Sequence, residues 1–231
     1  MLSIVIPTCG HLEDCLNPCI ESFKEHIAYR EDEVIVVANG CKDDTKKYVE
    51  SLGKQYKLLW FENQIGAPRA YNEGIISAVG DHILLLNDDV KMLDNTWTVR
   101  LLSPFIDSKV GLTGIIKFTL PVGSKEREAL AFWCVMIKRA VFDKIGYLDE
   151  IFYPFGCEDI DFCIRAADAG YKLVQVPEDT SNKFLKEKPK GELFPIYHKG
   201  SVTVDKWFND AKKKQFLENR NLKIIYDRYG A

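Results

Sequence analysis

Ile83-Leu84-Leu85-Leu86-Asn87-Asp88-Asp89 decides how this chain is read, because four consecutive apolar residues run straight into an amide and two carboxylates. Apolar character at every position, rather than at alternate ones, predicts a strand buried on both faces, and such strands belong to parallel sheets covered by helices. Working outward, the strand candidates are Leu2–Ile6, Glu33–Val37, Lys57–Phe61 and His82–Leu86. Helix-period stretches lie between them at Leu12–Ile27, Asp43–Leu52 and Ala67–Val79, with Gly53 and Gly80 placed as stop signals. Strands separated by helices pair through crossovers, so the first part of the chain is predicted to be an α/β, Rossmann-like half-sheet.

Beyond Asp89 the pattern changes. A helix is expected at Trp97–Ile106, strand-like runs at Val110–Leu120 and Leu130–Ile137, and a short helix at Arg139–Ile145. A further helix at Asp159–Ala169 leads through the Gly170-Tyr171 stop into a strand at Lys172–Val176. Residues Glu178–Glu192, with four lysines and little periodicity, are expected to form a mobile, lid-like loop. Apolar and basic residues at helical spacing over Asp205–Tyr229 predict a terminal amphipathic helix. The expectation is one domain over 1–231: residues 1–90 bind nucleotide, 91–204 build the acceptor side, and 205–231 form the last helix.

Composition narrows the function. With 31 basic and 34 acidic residues mixed along the chain, the net charge of -3 argues against nucleic acid as a partner. The apolar start, Met1–Pro7, has no basic segment before it and no cleavage site after it, so it reads as a strand rather than a signal peptide. No stretch reaches the roughly 20 apolar residues of a membrane span. Seven cysteines, an odd number placed mostly in apolar or helical segments, read as reduced core thiols of a cytoplasmic-type compartment. The Lys212-Lys213-Lys214 run is a solvated helix face or a point of peripheral membrane contact.

In an open parallel sheet, ligands bind beyond the carboxyl ends of the strands. The loops expected there carry Pro7-Thr8-Cys9-Gly10, Asn39-Gly40 and Asn87-Asp88-Asp89. Two adjacent acids after an apolar strand repel each other unless a cation lies between them and the ligand, and a hard ion such as Mg²⁺ or Mn²⁺ completes its shell with phosphate oxygens and water. A helix cap is the alternative use of Asp88 and Asp89. Upstream, Asn63–Gly74 places Arg69 at a helix start, where a guanidinium suits phosphate. Downstream, Glu158-Asp159 opens a helix after the Gly-containing aromatic stretch Phe155-Gly156-Cys157, and the helix dipole favours ionised acids there, with Asp159 as a candidate base.

Taken in order, these segments resemble the family 2 glycosyltransferases of the GT-A fold. The matching runs are Ser3–Thr8, Val36–Gly40, Asn63–Gly74, Leu86–Asp89 and Gly156–Asp161 through Arg165, within a span from Ser3 to about Thr203. The resemblance implies a mainly parallel central sheet flanked by helices, with Pro7, Thr8, Asn39, Arg69, Asn72, Asn87 and Asp88 bordering a nucleotide-diphosphate sugar. It implies Asp89 as metal ligand, His198 as a second ligand near the diphosphate, and Asp159, second acid of the Glu158-Asp159 pair, as catalytic base. Two positions depart from the family pattern: Asn87 replaces the first acid of the metal motif, and Ala38 stands where many members carry an aspartate.

The implied chemistry is inverting displacement, in which Asp159 deprotonates a hydroxyl of a glycan, glycolipid or glycoprotein acceptor and the diphosphate leaves with metal assistance. Phe132, Trp133, Phe152, Tyr153 and Phe155 are candidate sugar-stacking surfaces. Two alternatives stand beside it. A sugar-nucleotide nucleotidyltransferase normally opens with a Gly-rich loop that Pro7–Gly10 lacks, while a catalytically silent sugar-nucleotide-binding relative is compatible with Asn87 and Ala38.

Overall fold

The computed structural model describes residues 1–28, 31–176, 195–200 and 211–230. Its strands are β1 (Leu2–Thr8), β2 (Glu33–Asn39), β3 (Tyr56–Phe61), β4 (His82–Leu86), β5 (Val90–Met92), β6 (Val110–Gly114), β7 (Lys117–Val122), β8 (Lys125–Leu130), β9 (Cys134–Lys138), β10 (Lys172–Gln175) and β11 (Ile196–His198). The helices are α1 (Asn17–Glu21), α2 (Lys24–Ala28), α3 (Thr45–Ser51), α4 (Ala67–Ser77), α5 (Trp97–Leu102), α6 (Arg139–Ile145), α7 (Glu158–Asp168) and α8 (Ala211–Tyr229).

The seven-stranded central sheet runs β10-β6-β9-β4-β1-β2-β3. β4, β1, β2 and β3 are mutually parallel, as the buried apolar runs predict. Alternate residues then supply two cores. Val5, Ile35, Val37, Ile83 and Leu85 face α4, α6, α7 and α8. Ile4, Ile6, Val34, Val36, Leu84 and Leu86 face α1, α2, α3 and α5. With both faces sealed, polar chemistry is confined to the strand ends.

β9 runs antiparallel to both β4 and β6. Its reversal lets the segment before Cys134 meet the carboxyl end of β4, where Asn87 N donates to Trp133 O at 2.9 Å. A ribbon of β5 and β11 sets His198 opposite Val90. β7 and β8 form a hairpin, turning at Gly123 with a positive φ of 62°. The charged run Lys125–Arg127 hides β8 from an apolar-pattern search, which is why the sequence reading stopped at Leu120 and resumed at Leu130.

The helix expected over Leu12–Ile27 is instead a π-helical turn, Leu12–Leu16, followed by α1 and α2. Pro18 explains the break, since it has no N–H to give the carbonyl of Asp14. Lys199 Nζ reaches that carbonyl at 3.5 Å. The expected Glu178–Glu192 loop lies outside the described residues, as do the side chains of Lys212-Lys213-Lys214. In α8 the inward face carries Asn221 and Ile225, whereas Phe216 is 68% exposed and does not join the core. Among the described residues no helix is long and apolar enough to cross a membrane. All seven cysteines are free.

Gly74 is where α4 lies closest to the sheet. A Cβ there would overlap Val5 Cγ1 and stand 3.2 Å from Val37 Cγ2. Gly74→Ala is expected to cost about 1–3 kcal/mol by overpacking, read as a lower denaturation midpoint. An unchanged midpoint would mean that α4 can lift from the sheet at no cost.

Candidate active site

A cavity of about 410 Å³ opens at the carboxyl edge of β1, β2 and β4. β1 contributes Pro7, Thr8 and Cys9, β2 contributes Asn39, and the residues after β4 are Asn87, Asp88 and Asp89. Phe132 and Trp133 before β9 and the 155–159 segment that starts α7 also line it. His198 closes it at the end of β11.

Asp88 is 6% exposed, and its Oδ2 accepts from Thr8 Oγ1 at 2.7 Å. Burial pushes its carboxyl up to about 7, with the neighbouring Asp89 charge acting in the same direction and the Thr8 hydroxyl opposing it. Asp89 stands just before β5: its Oδ2 accepts from Gly200 N at 3.1 Å and its backbone carbonyl from Lys199 N at 3.0 Å. Asp89 Oδ1 lies 3.1 Å from His198 Nε2. The His198 ring stacks on Trp133 at 4.5 Å between centroids and 10° between planes, which fixes its orientation.

Asn87 does not act as a third acid. Its Oδ1 accepts the Tyr71 hydroxyl at 2.8 Å, a crosspiece between α4 and the end of β4. A carboxylate there would add another negative charge beside Asp88 and Asp89, so the amide meets the same geometry at lower electrostatic cost. Asn39 likewise braces the rim, with Oδ1 accepting from Ile65 N at 2.7 Å.

Glu158 and Asp159 line the same cavity. Asp159 Oδ1 accepts from Ile160 N at 2.9 Å. Burial raises both carboxyls above the usual range, and the charge of Asp159 raises Glu158 further, so the two titrate as a pair. Glu158 Oε2 accepts no hydrogen bond among the described residues.

The structure brings Pro7, Thr8, Asn39, Asn87, Asp88, Asp89, Glu158, Asp159 and His198 to one cavity. Two expected residues are not brought there. The Arg69 side chain is 50% exposed and pairs with Glu73 at 3.5 Å, outside the lining. Asn72 is buried, but its amide is spent on Leu148, donating to the carbonyl at 2.9 Å and accepting from the N–H at 3.0 Å, so it fastens α4 to the 148–150 segment. The inward stripe of α4 is Ala67 and Tyr71, four residues apart, and Tyr71 is the site residue that the sequence reading passed over. Of the aromatics, Phe132, Trp133 and Phe155 line the cavity, while Phe152 is fully buried in the core and the Tyr153 ring lies against Gly66.

Four carboxyls therefore face this space, and no Lys or Arg among the described residues lines it. The described residues contain no cluster of three or more acids, histidines or cysteines able to hold a metal by themselves. What they offer is a pair: Asp89 Oδ1, which accepts no aligned hydrogen bond among the described residues, and the adjacent imidazole of His198. That donor set fits a hard cation that completes its shell with substrate oxygens.

The sequence matches the profile of Glycosyl transferase family 2 over residues 3–155. The chain belongs to glycosyl transferase family 2. The family 2 chain is similar to an uncharacterised protein, y4gI, of Sinorhizobium fredii, 25% identical over 216 residues that make up 77% of this chain and 24% of that protein. It is also similar to the rhamnosyltransferase WbbL of Escherichia coli, 26% identical over 150 residues, or 62% of this chain and 54% of that protein. The chain thus spans well under two thirds of either relative. In fold it matches the mannosyltransferase PcManGT from Pyrobaculum calidifontis, solved in complex with GDP-Man and Mn²⁺, with a TM-score of 0.60 and 15% identity over 77% of this chain and 55% of that one. The family and the GT-A fold implied by the sequence resemblance are borne out.

The raised Glu158–Asp159 pair has a consequence for this family 2 domain. A carboxyl whose folded-state pKa lies above its unfolded value favours folding below the unfolded value and loses that contribution as pH rises through the folded one. Glu158→Gln removes the losing group. Its melting temperature is expected to exceed the wild type's by about 2–4 °C at pH 8, the worth of about 1 kcal/mol in a chain of this size. The gap should close towards pH 4, and a pH-independent gap in thermal melts would contradict the assignment.

Proposed function

We propose that this family 2 chain transfers a sugar from a nucleotide-diphosphate donor to an acceptor hydroxyl, with inversion at the anomeric carbon. The observation that carries the reading is the convergence of Asp88, Asp89, His198, Glu158 and Asp159 on the lining of one cavity. A diphosphate entering a space lined by four carboxyls, and by no Lys or Arg among the described residues, meets repulsion unless a cation accompanies it.

Asp89 and His198 are the residues that would hold a divalent ion, Mn²⁺ or Mg²⁺. When bound, such an ion neutralises the charge that develops on the leaving diphosphate. The relative of similar fold was solved with GDP-Man and Mn²⁺, which supports the same ligand classes here. Thr8 and Asn39 border the nucleotide side, and Asp88 is held in place by Thr8. Trp133, Phe132 and Phe155 offer ring faces to the C–H patches of sugars.

Asp159 takes the proton of the acceptor hydroxyl. The oxygen then forms its bond to the anomeric carbon as the bond to the diphosphate oxygen breaks, its electron pair leaving with the nucleotide. Glu158, sharing the same buried space, keeps one proton in the pair and so limits the local negative charge. The acceptor belongs to the class of glycan, glycolipid or glycoprotein hydroxyls.

Two variants test this. Asp159→Asn is expected to lower transfer by about 10²–10⁴-fold, the usual worth of a positioned base, with donor binding kept. Asp89→Ala is expected to abolish Mn²⁺-dependent thermal stabilisation by UDP, GDP, dTDP or CMP, which at 100 times Kd amounts to about 2.7 kcal/mol in the wild type. If no nucleotide stabilises the wild type with or without Mn²⁺, the donor-site reading fails and a catalytically silent relative takes its place.

A further inference from the structure

The segment that delivers Glu158 and Asp159 is irregular. Between the 3₁₀ turn Glu150–Phe152 and α7, no strand ladder takes its backbone carbonyls, and two consecutive residues, Gly156 (φ 95°) and Cys157 (φ 71°), adopt left-handed backbone. For a residue with a side chain, such as Cys157, that conformation is uncommon and persists only when the surroundings hold it.

α8 supplies the hold. Asn221 is 1% exposed, and its Nδ2 donates both hydrogens, to Phe155 O at 3.0 Å and Gly156 O at 2.7 Å. Its Oδ1 accepts from Arg220 Nη2 at 2.6 Å, and the same Nη2 donates to Tyr153 O at 2.6 Å. Nearer the end of α8, the fully buried Asp161 carboxylate of α7 accepts from Arg228 Nη1 at 2.9 Å and Tyr229 Oη at 2.7 Å, as well as from Arg165 Nε at 2.8 Å. Arg228 also meets Asp149 at 2.8 Å. The family match stops at residue 155, so this grip comes from sequence outside it.

We infer that Asn221 is a positioning residue for the reaction: by pinning the Phe155 and Gly156 carbonyls it fixes where Glu158 and Asp159 point into the cavity. The inference rests on the reading of Asp159 as the base. Its force is geometric. The pinned peptide lies within a few residues of both carboxyls, which open α7 directly after it. A displacement of about 1 Å in reacting groups costs about 10²-fold in rate.

The test compares the full chain with Asn221→Ala and with Asn221→Asp, which keeps the acceptor for Arg220 but replaces the two donors by a carboxylate facing two carbonyl oxygens. Donor turnover is followed with GDP-mannose and UDP-N-acetylglucosamine in Mn²⁺, and amide hydrogen exchange is followed across the 153–160 segment. Turnover in both variants is expected to fall by about 10–100-fold with donor KM held within about twofold. Exchange at Glu158, Asp159 and Ile160 is expected to quicken at least about tenfold while β1 and β4 stay protected. Wild-type turnover and exchange in both variants would overturn the inference, as would a loss carried equally by donor KM. Because exchange needs no donor, it decides the question even if turnover is too slow to follow. Asp159→Asn, run alongside, separates the two readings: if it keeps wild-type turnover while Asn221→Ala loosens the segment, the base assignment falls and the positioning of the segment stands.

Discussion

Burial of the central sheet on both faces is the constraint from which the rest follows. Strands β4, β1 and β2 carry apolar residues above and below, sealed by two helical layers. No polar group can leave the sheet sideways without losing its hydrogen bonds to water. Function is therefore driven to the strand ends, where the chain must turn and where Thr8, Asn39 and Asp88 emerge side by side. At the carboxyl edge of the sheet, carboxyls, hydroxyls and amides meet the cavity.

That edge concentrates acid. Asp88 is pushed up to about 7 chiefly by burial, and the Glu158–Asp159 pair is raised by the same cause. The protein tolerates this by neutral braces rather than by opposing charges: Thr8 on Asp88, Tyr71 on Asn87, backbone N–H groups on Asp89 and Asp159. A base pair of Lys or Arg would quench the negative field; hydroxyls and amides fix geometry and leave it in place. The cavity thus keeps both its fixed geometry and its negative field.

What the sequence disclosed follows from the range of the interactions involved. The parallel half-sheet was legible because each strand carries its own burial pattern, and the acids after β4 and at the start of α7 were legible because they sit at element ends. Arg69 and Asn72 lie off the cavity lining because helix phase selects Ala67 and Tyr71 for the stripe that faces it, and nothing short of the packed sheet fixes that phase. The reversal of β9 depends on its pairing with β4 and β6, which no local pattern encodes. The grip of Asn221 on Gly156 spans 65 residues, and one of two asparagines in an amphipathic helix gives no hint of its partner.

The same long reach has a consequence for how the molecule comes into being. Chains emerge from synthesis amino end first, and early segments begin to fold as they appear. β1 to β4, with Thr8, Asn39 and the acids after Leu86, can assemble while α8 has yet to be made. The Glu158–Asp159 pair receives its last backbone tethers only when Asn221 arrives, and Asp161 its last partners only with Arg228 and Tyr229, 67 and 68 residues further along. The nascent protein thus holds only part of the cavity lining for much of its synthesis, and the stretch bearing Glu158 and Asp159 is the part secured last.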